Sequence, residues 1–211
     1  TGELLWQYAL PNIADTVVIY GTGTVRVLAG TRDSQVHLFS SDGVELWRAQ
    51  LADAVKGVAA VRSGALVVAG TQDGAVTLLN GATADVLWQT QLSDRVNAIA
   101  ITDDGGLILV GTREGRLYVL NGEDGSVQQT HDMGSAVESV AVSPDGRYFM
   151  AGMRAGRAVF QDMATARARF VARQRLLTGV RVGIPLILLG LLVGLVVWIR
   201  VTPSGRTFWE V

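Results

Sequence analysis

Three tryptophans, Trp6, Trp47 and Trp88, stand 41 residues apart, and Gln129 falls one further step of 41 along the chain. The same interval links Val17, Val58, Ile99 and Val140, with the first copy carrying one extra residue before Gly30. Self-similarity at such a period marks a repeat architecture, in which a unit buries its apolar face only against a copy of itself. The clearest unit is Gly70 to Trp88, GTQDGAVTLLNGATADVLW. It recurs as GTREGRLYVLNGEDGSVQQ from Gly111 and as AGTRDSQVHLFSSDGVELW from Ala29.

Within a copy the pattern is four short β-rich runs divided by turn residues. In the second copy these are Val55–Val61, Ala65–Gly70, Ala75–Asn80 and Asp85–Leu92, separated by Arg62-Ser63-Gly64, Gln72-Asp73-Gly74 and Gly81-Ala82-Thr83-Ala84. Each separator supplies the positive φ or the side-chain-to-backbone bonds that a tight turn needs. Helical repeats would need apolar spacings of three and four over ten or more residues, whereas these runs are short, β-branched and broken by glycine. A leucine-rich repeat would be shorter and would carry an Asn ladder. Four strands per unit predict an all-β chain, a β-propeller of four-stranded blades with about four repeats of ~41 residues.

Thr71-Gln-Asp-Gly, Thr112-Arg-Glu-Gly and the run Leu117-Tyr-Val-Leu-Asn-Gly-Glu-Asp-Gly, followed in other copies by Leu-Trp, resemble the quinoprotein-type (PQQ-like) repeat. That family includes outer-membrane assembly propellers as well as quinone-dependent dehydrogenases. Ser143-Pro-Asp-Gly-Arg-Tyr resembles a turn common in WD-repeat propellers. The resemblance covers about residues 1–162 and speaks to shape. It implies ring closure, since Thr1 to Gln7 matches a fourth strand while the last copy stops after its third, Gly156-Arg-Ala-Val-Phe-Gln. Closure within one chain, a ring made of two chains and a loss of upstream blades are all compatible with this phase.

The 211 residues contain no cysteine, which excludes disulfides, thiolate zinc sites and a cysteine nucleophile. The only histidines are His37 and His131, and both fall on predicted strands. Net charge is −1, but residues 1–162 hold eighteen acids against eleven bases, and residues 163–211 hold seven arginines against one glutamate. An acidic body offers no basic face to a polyanion, which argues against nucleic acid.

The chain divides into repeats over 1–162, a basic juxtamembrane helix over 163–181, a transmembrane helix over 182–200 and a short tail over 201–211. From Val182 to Ile199 no residue is charged, which gives about 27 Å of helix at ~1.5 Å per residue, close to the thickness of a hydrocarbon core. Arg167, Arg169, Arg173, Arg175 and Arg181 precede it and suit anionic headgroups. Their excess over Arg200 and Arg206 puts the propeller on the cytoplasmic side of a single-pass chain. Gly190 and Gly194 form a G-x-x-x-G suited to close helix packing.

Chemistry is harder to find. Relatives that bind the quinone supply calcium ligands, a catalytic Asp and often a vicinal cysteine pair, as the resemblance implies; here there is no cysteine and no matching acidic set. Asp33, Asp73, Glu114, Asp124 and Asp145 fall in turn motifs. Trp6, Trp47 and Trp88 recur once per blade, so their expected task is packing between blades. No catalytic, cofactor or metal residue is expected. The expectation is a membrane-anchored, non-catalytic interaction or scaffold subunit that meets lipid headgroups, other subunits of a membrane complex or a second copy of itself. A tethered quinoprotein-type oxidoreductase and a ligand-sensing propeller are the alternatives.

Overall fold

The computed structural model describes residues 2–143 and 145–163. The proposed helices and tail lie outside the described residues from position 164 onward. With them lie Arg167, Arg169, Arg173, Arg175, Arg181, Gly190 and Gly194. Among the described residues no helix is long and apolar enough to cross a membrane.

The fold is an all-β, four-blade propeller array. The first blade consists of β1 (Ala14–Tyr20), β2 (Arg26–Thr31), β3 (Gln35–Ser40) and β4 (Glu45–Gln50). The second has β5 (Val55–Ala60), β6 (Leu66–Thr71), β7 (Ala75–Asn80) and β8 (Val86–Gln91). The third has β9 (Val96–Ile101), β10 (Leu107–Thr112), β11 (Arg116–Asn121) and β12 (Val127–Asp132). Among the described residues the fourth has β13 (Val137–Val142), β14 (Tyr148–Met153) and β15 (Ala158–Asp162). Each blade is an antiparallel meander in sequence order.

Strand alternation sends successive side chains to opposite faces, so each blade buries one set against its predecessor and the other against its successor. Leu28, Val36 and Leu38 of the first blade meet Val58, Val67 and Leu79 of the second. Val68, Val76 and Leu78 meet Ile99, Ile108 and Tyr118 of the third. Leu109, Leu117 and Val119 meet Val140, Phe149 and Val159 of the fourth. At about 1.5–3 kcal/mol for each fully buried aliphatic side chain, these three layers stabilise the array without covalent staples. The first strands run closest together, β1 on β5, β5 on β9 and β9 on β13. Gly70 and Gly111 permit this approach, since a Cβ there would stand 2.4 and 2.5 Å from methyls of Val96 and Val137.

No comparable contact joins β13 to β1. Val17 and Ile19, the first-blade counterparts of the buried Val58 and the partly buried Ala60, are 57% and 70% exposed. Residues 2–13 form no strand, and the fourth sheet is three-stranded. Closure of the last blade by the opening segment is therefore not made within this chain.

Candidate functional site

The tryptophans tie consecutive blades together. The Trp47 indole N–H donates to the Gly81 carbonyl at 2.9 Å, and the Trp88 indole donates to the Gly122 carbonyl at 2.9 Å. Trp47 packs on the first interblade core and Trp88 on the second. The accepting carbonyls are held by tight turns, for a Cβ on Gly81 or Gly122 would fall 1.9 or 1.7 Å from the Gly64 or Gly105 oxygen. Trp6 makes the same kind of bond, to the Ser41 carbonyl at 3.1 Å, and lies against Phe39 with ring centroids 5.8 Å apart. It occupies the station of a fourth-strand tryptophan from a preceding blade.

A second repeated feature lies on the innermost strands. Every first strand has a β-bulge at its start, between Ala14 and Thr16, Val55 and Gly57, Val96 and Ala98, and Val137 and Ser139. The extra residues are Asp15, Lys56, Asn97 and Glu138, each 41 positions from the next. A bulge re-aims one side chain out of the alternation, so all four polar groups collect at one end of the inner strands. There they pair between blades. Lys56 Nζ meets Asp15 Oδ2 at 2.5 Å, and Asn97 Nδ2 donates to Glu138 Oε2 at 2.9 Å. Burial alone raises the Asp15 carboxyl, but hydrogen bonds from Lys56 and Arg32 outweigh it and hold the group below the usual carboxylate range. The Asn97 hydrogen bond, helped by Arg154, likewise lowers Glu138.

The concave site lies between the first and second blades. A cleft of about 650 Å³ is lined by Tyr20, the Gly21-Thr22-Gly23-Thr24 loop, Arg26, Leu46, Trp47, Arg62 and Ser63. Two departures from the repeat meet here, the extra residue in the Gly21–Thr24 turn and the residue at position 26. Where the second and third blades carry Leu66, packed on the second core, and Leu107, fully buried, the first carries Arg26. A guanidinium cannot fill an apolar slot without leaving its donors unpaired, so the slot stays open and polar. Burial raises the Tyr20 phenol and the neighbouring Arg26 charge opposes this. Arg62 is held at the cleft by Asp103, 3.1 Å away in the third blade. Two cations, four hydroxyls and two aromatic rings stand in this cleft beside exposed Leu46.

Other polar groups pair within and between the blades. Asp94, buried, accepts from Arg116 at 3.0 Å and from the Tyr118 hydroxyl at 3.0 Å. His37 Nδ1 lies 2.8 Å from Glu45, which also accepts from the Tyr8 hydroxyl at 3.0 Å. That second bond raises the Tyr8 phenol, while the His37 bond lowers Glu45. Turn carboxylates behave as turn residues: Asp73, Asp124 and Asp145 accept backbone N–H bonds two residues on, and Glu114 accepts from Arg95 N–H. Among the described residues no three His, Cys, Asp or Glu stand close enough to hold a metal ion.

Sequence reasoning named the tryptophans and missed both the bulge row and the cleft. The row was visible as a polar residue at a 41-residue interval, and Arg26 as a charge where sister copies have leucine.

Face-to-face packing of antiparallel meanders, with a tryptophan bond across the first two interfaces, defines this molecule as a β-propeller protein. More narrowly, residues 32–176 match the family described as outer membrane protein assembly factor BamB, and the chain belongs to that family. No curated protein matches it. Two designed proteins share the fold at 17% identity. The computationally designed Ika4 protein superposes with a TM-score of 0.65 over 77% of this chain and 99% of its own. The computationally designed Ika8 protein does so with a TM-score of 0.60 over 71% of this chain, which spans 46% of the Ika8 chain.

Proposed function

We propose that this protein is a non-catalytic interaction subunit of a larger membrane protein complex, and that it recognises a partner through the cleft between its first two blades. The observation that carries this reading is Arg26, a charge at a position where sister blades carry leucine, lining an open, polar slot between two blades. Core positions are not charged without cost, and a cost retained beside exposed Leu46 and half-buried Trp47 suits binding. The family's description as an assembly factor supports a protein partner. The uncharged run Val182–Ile199 would anchor the subunit, with Arg167, Arg169, Arg173, Arg175 and Arg181 on anionic headgroups and the propeller on the cytoplasmic side.

A photo-crosslinking residue at Leu46, activated in native membranes, should capture a discrete protein, and Arg26→Leu should abolish that product while the fold persists. Capture that is indifferent to Arg26→Leu would count against the cleft. For sidedness, Asp73→Cys in sealed vesicles should resist a membrane-impermeant thiol label from the exterior. Labelling there would reverse the orientation.

A further inference from the structure

The cleft between the first two blades holds hydrogen-bond donors without acceptors. Arg32, Arg62, Arg116, Arg147 and Arg154 each stand against a carboxylate. Among the described residues Arg26 has no such partner, and unlike the exposed Arg95, Arg113 and Arg157, which also lack one, it is half-buried. Its charge reaches Asp42, but that carboxyl accepts from the Ser40 hydroxyl at 2.5 Å. No hydrogen bond reaches the hydroxyl of the buried Tyr20 among the described residues.

The backbone adds to this set. The turn between the first two strands closes on itself in three blades, with Gly64 N–H donating to the Val61 carbonyl at 2.9 Å, Gly105 N–H to Thr102 at 2.8 Å and Gly146 N–H to Ser143 at 2.8 Å. In the first blade the same turn carries the extra residue, and no such bond closes it. Gly21, at φ +133°, and Gly23, where a Cβ would meet nothing within 4 Å, leave the backbone of this turn uncovered. An amide without a partner in the chain is open to an acceptor from outside.

Donors without acceptors, half-withdrawn from water, select a carboxylate, which accepts at both oxygens and matches the guanidinium fork. Leu46, 44% exposed, and Trp47 border the same cleft, and β4, which carries both, is the outermost strand of the first sheet. A void of about 650 Å³ exceeds what a lone carboxylate fills and suits a stretch of chain. Resting on the reading of this cleft as a partner site, we infer that its occupant is an extended protein segment with an Asp or Glu side chain against Arg26 and Tyr20. Two residues along, where an extended chain returns to the same face, it sets a large apolar side chain against Leu46 and Trp47. Arg62 is already held by Asp103, so the decisive charge is that of Arg26.

The test pans the full-length protein, in mild detergent, against displayed random peptides joined to their carrier at the C-terminal end, so that only side-chain carboxylates are offered. Enriched sequences should carry Asp or Glu two residues from Leu, Ile, Phe or Trp. One of them, synthesised with an amidated end, should lose about tenfold in affinity on Arg26→Gln and as much when its own acid is replaced by the amide, and both changes together should cost no more than either alone. Arg26→Lys should restore part of that affinity, with circular dichroism unchanged across the variants. Enrichment without a carboxylate, binding indifferent to Arg26→Gln or no enrichment at all would overturn the inference, as would free succinate binding as tightly as the peptide. The cleft itself is judged separately by the Leu46 crosslink. A crosslink that still depends on Arg26 keeps the cleft as a partner site even where the carboxylate fails, whereas one indifferent to Arg26→Leu removes the reading beneath it.

Discussion

The second blade is flanked by two interfaces built from the same strands, turns and tryptophan bond, yet one is filled and the other carries a cleft. Between the second and third blades Leu66 fills the slot beneath Gly105, where a Cβ would come within 2.6 Å of its Cδ1. Between the first and second the slot belongs to Arg26 and stays open. The backbone repeat tolerates both, because the three core layers and the tryptophan bond hold the blades whatever occupies that one position. A repeat fold can thus carry a site at one interface and keep its neighbour as pure scaffold.

The largest test of this contrast is the tryptophan pair. Trp88→Ala should cost about 3 kcal/mol and Trp47→Ala about 2 kcal/mol by urea unfolding, since both lose packing and a hydrogen bond but Trp47 already borders a void. Equal costs would show that the cleft does not weaken the first interface. Next comes the transplant of the cleft. Leu66→Arg should destabilise by about 2 kcal/mol by putting a charge into a filled slot. The reverse change, Arg26→Leu, should stabilise by about 1 kcal/mol by filling the open one.

Acid should separate the interfaces further. Asp15 bridges the first and Glu138 the third, whereas the second has no carboxylate on the bulge row. Both folded pKa values are lowered, so their contribution is complete above the ordinary values of 3.8 and 4.5 and is lost as pH falls through the lowered ones. Glu138→Gln should therefore flatten the urea midpoint against pH only below about 4.5. The smallest effect belongs to Arg62→Gln, which breaks an exposed ion pair with Asp103 and should shift stability by no more than ~0.5 kcal/mol.

Much of this was legible beforehand. The 41-residue step foretold four strands per copy, and the strands of the second blade begin and end within one or two residues of the runs read from sequence. The tryptophans were legible because they recur. Arg26 was overlooked because a departure from a repeat is visible only once the copies are aligned across the extra residue in the first. The bulge residues looked like ordinary strand polars, since a bulge is a relation between two strands and leaves little trace in one.

Taken alone, the sequence determined the blade and its internal order, because apolar alternation and turn chemistry act over a few residues. It also determined that copies must stack, because one face of each sheet would otherwise be bare. Only the tertiary structure decided which positions along the stack are filled and which stay open. It put Trp6 and Tyr8 on the first blade beside Phe39, drew the four bulge residues to one end of the inner strands, and opened the slot at Arg26. Those outcomes depend on how far apart distant strands finish, which is set by the sum of all the interblade contacts and by no single stretch of chain.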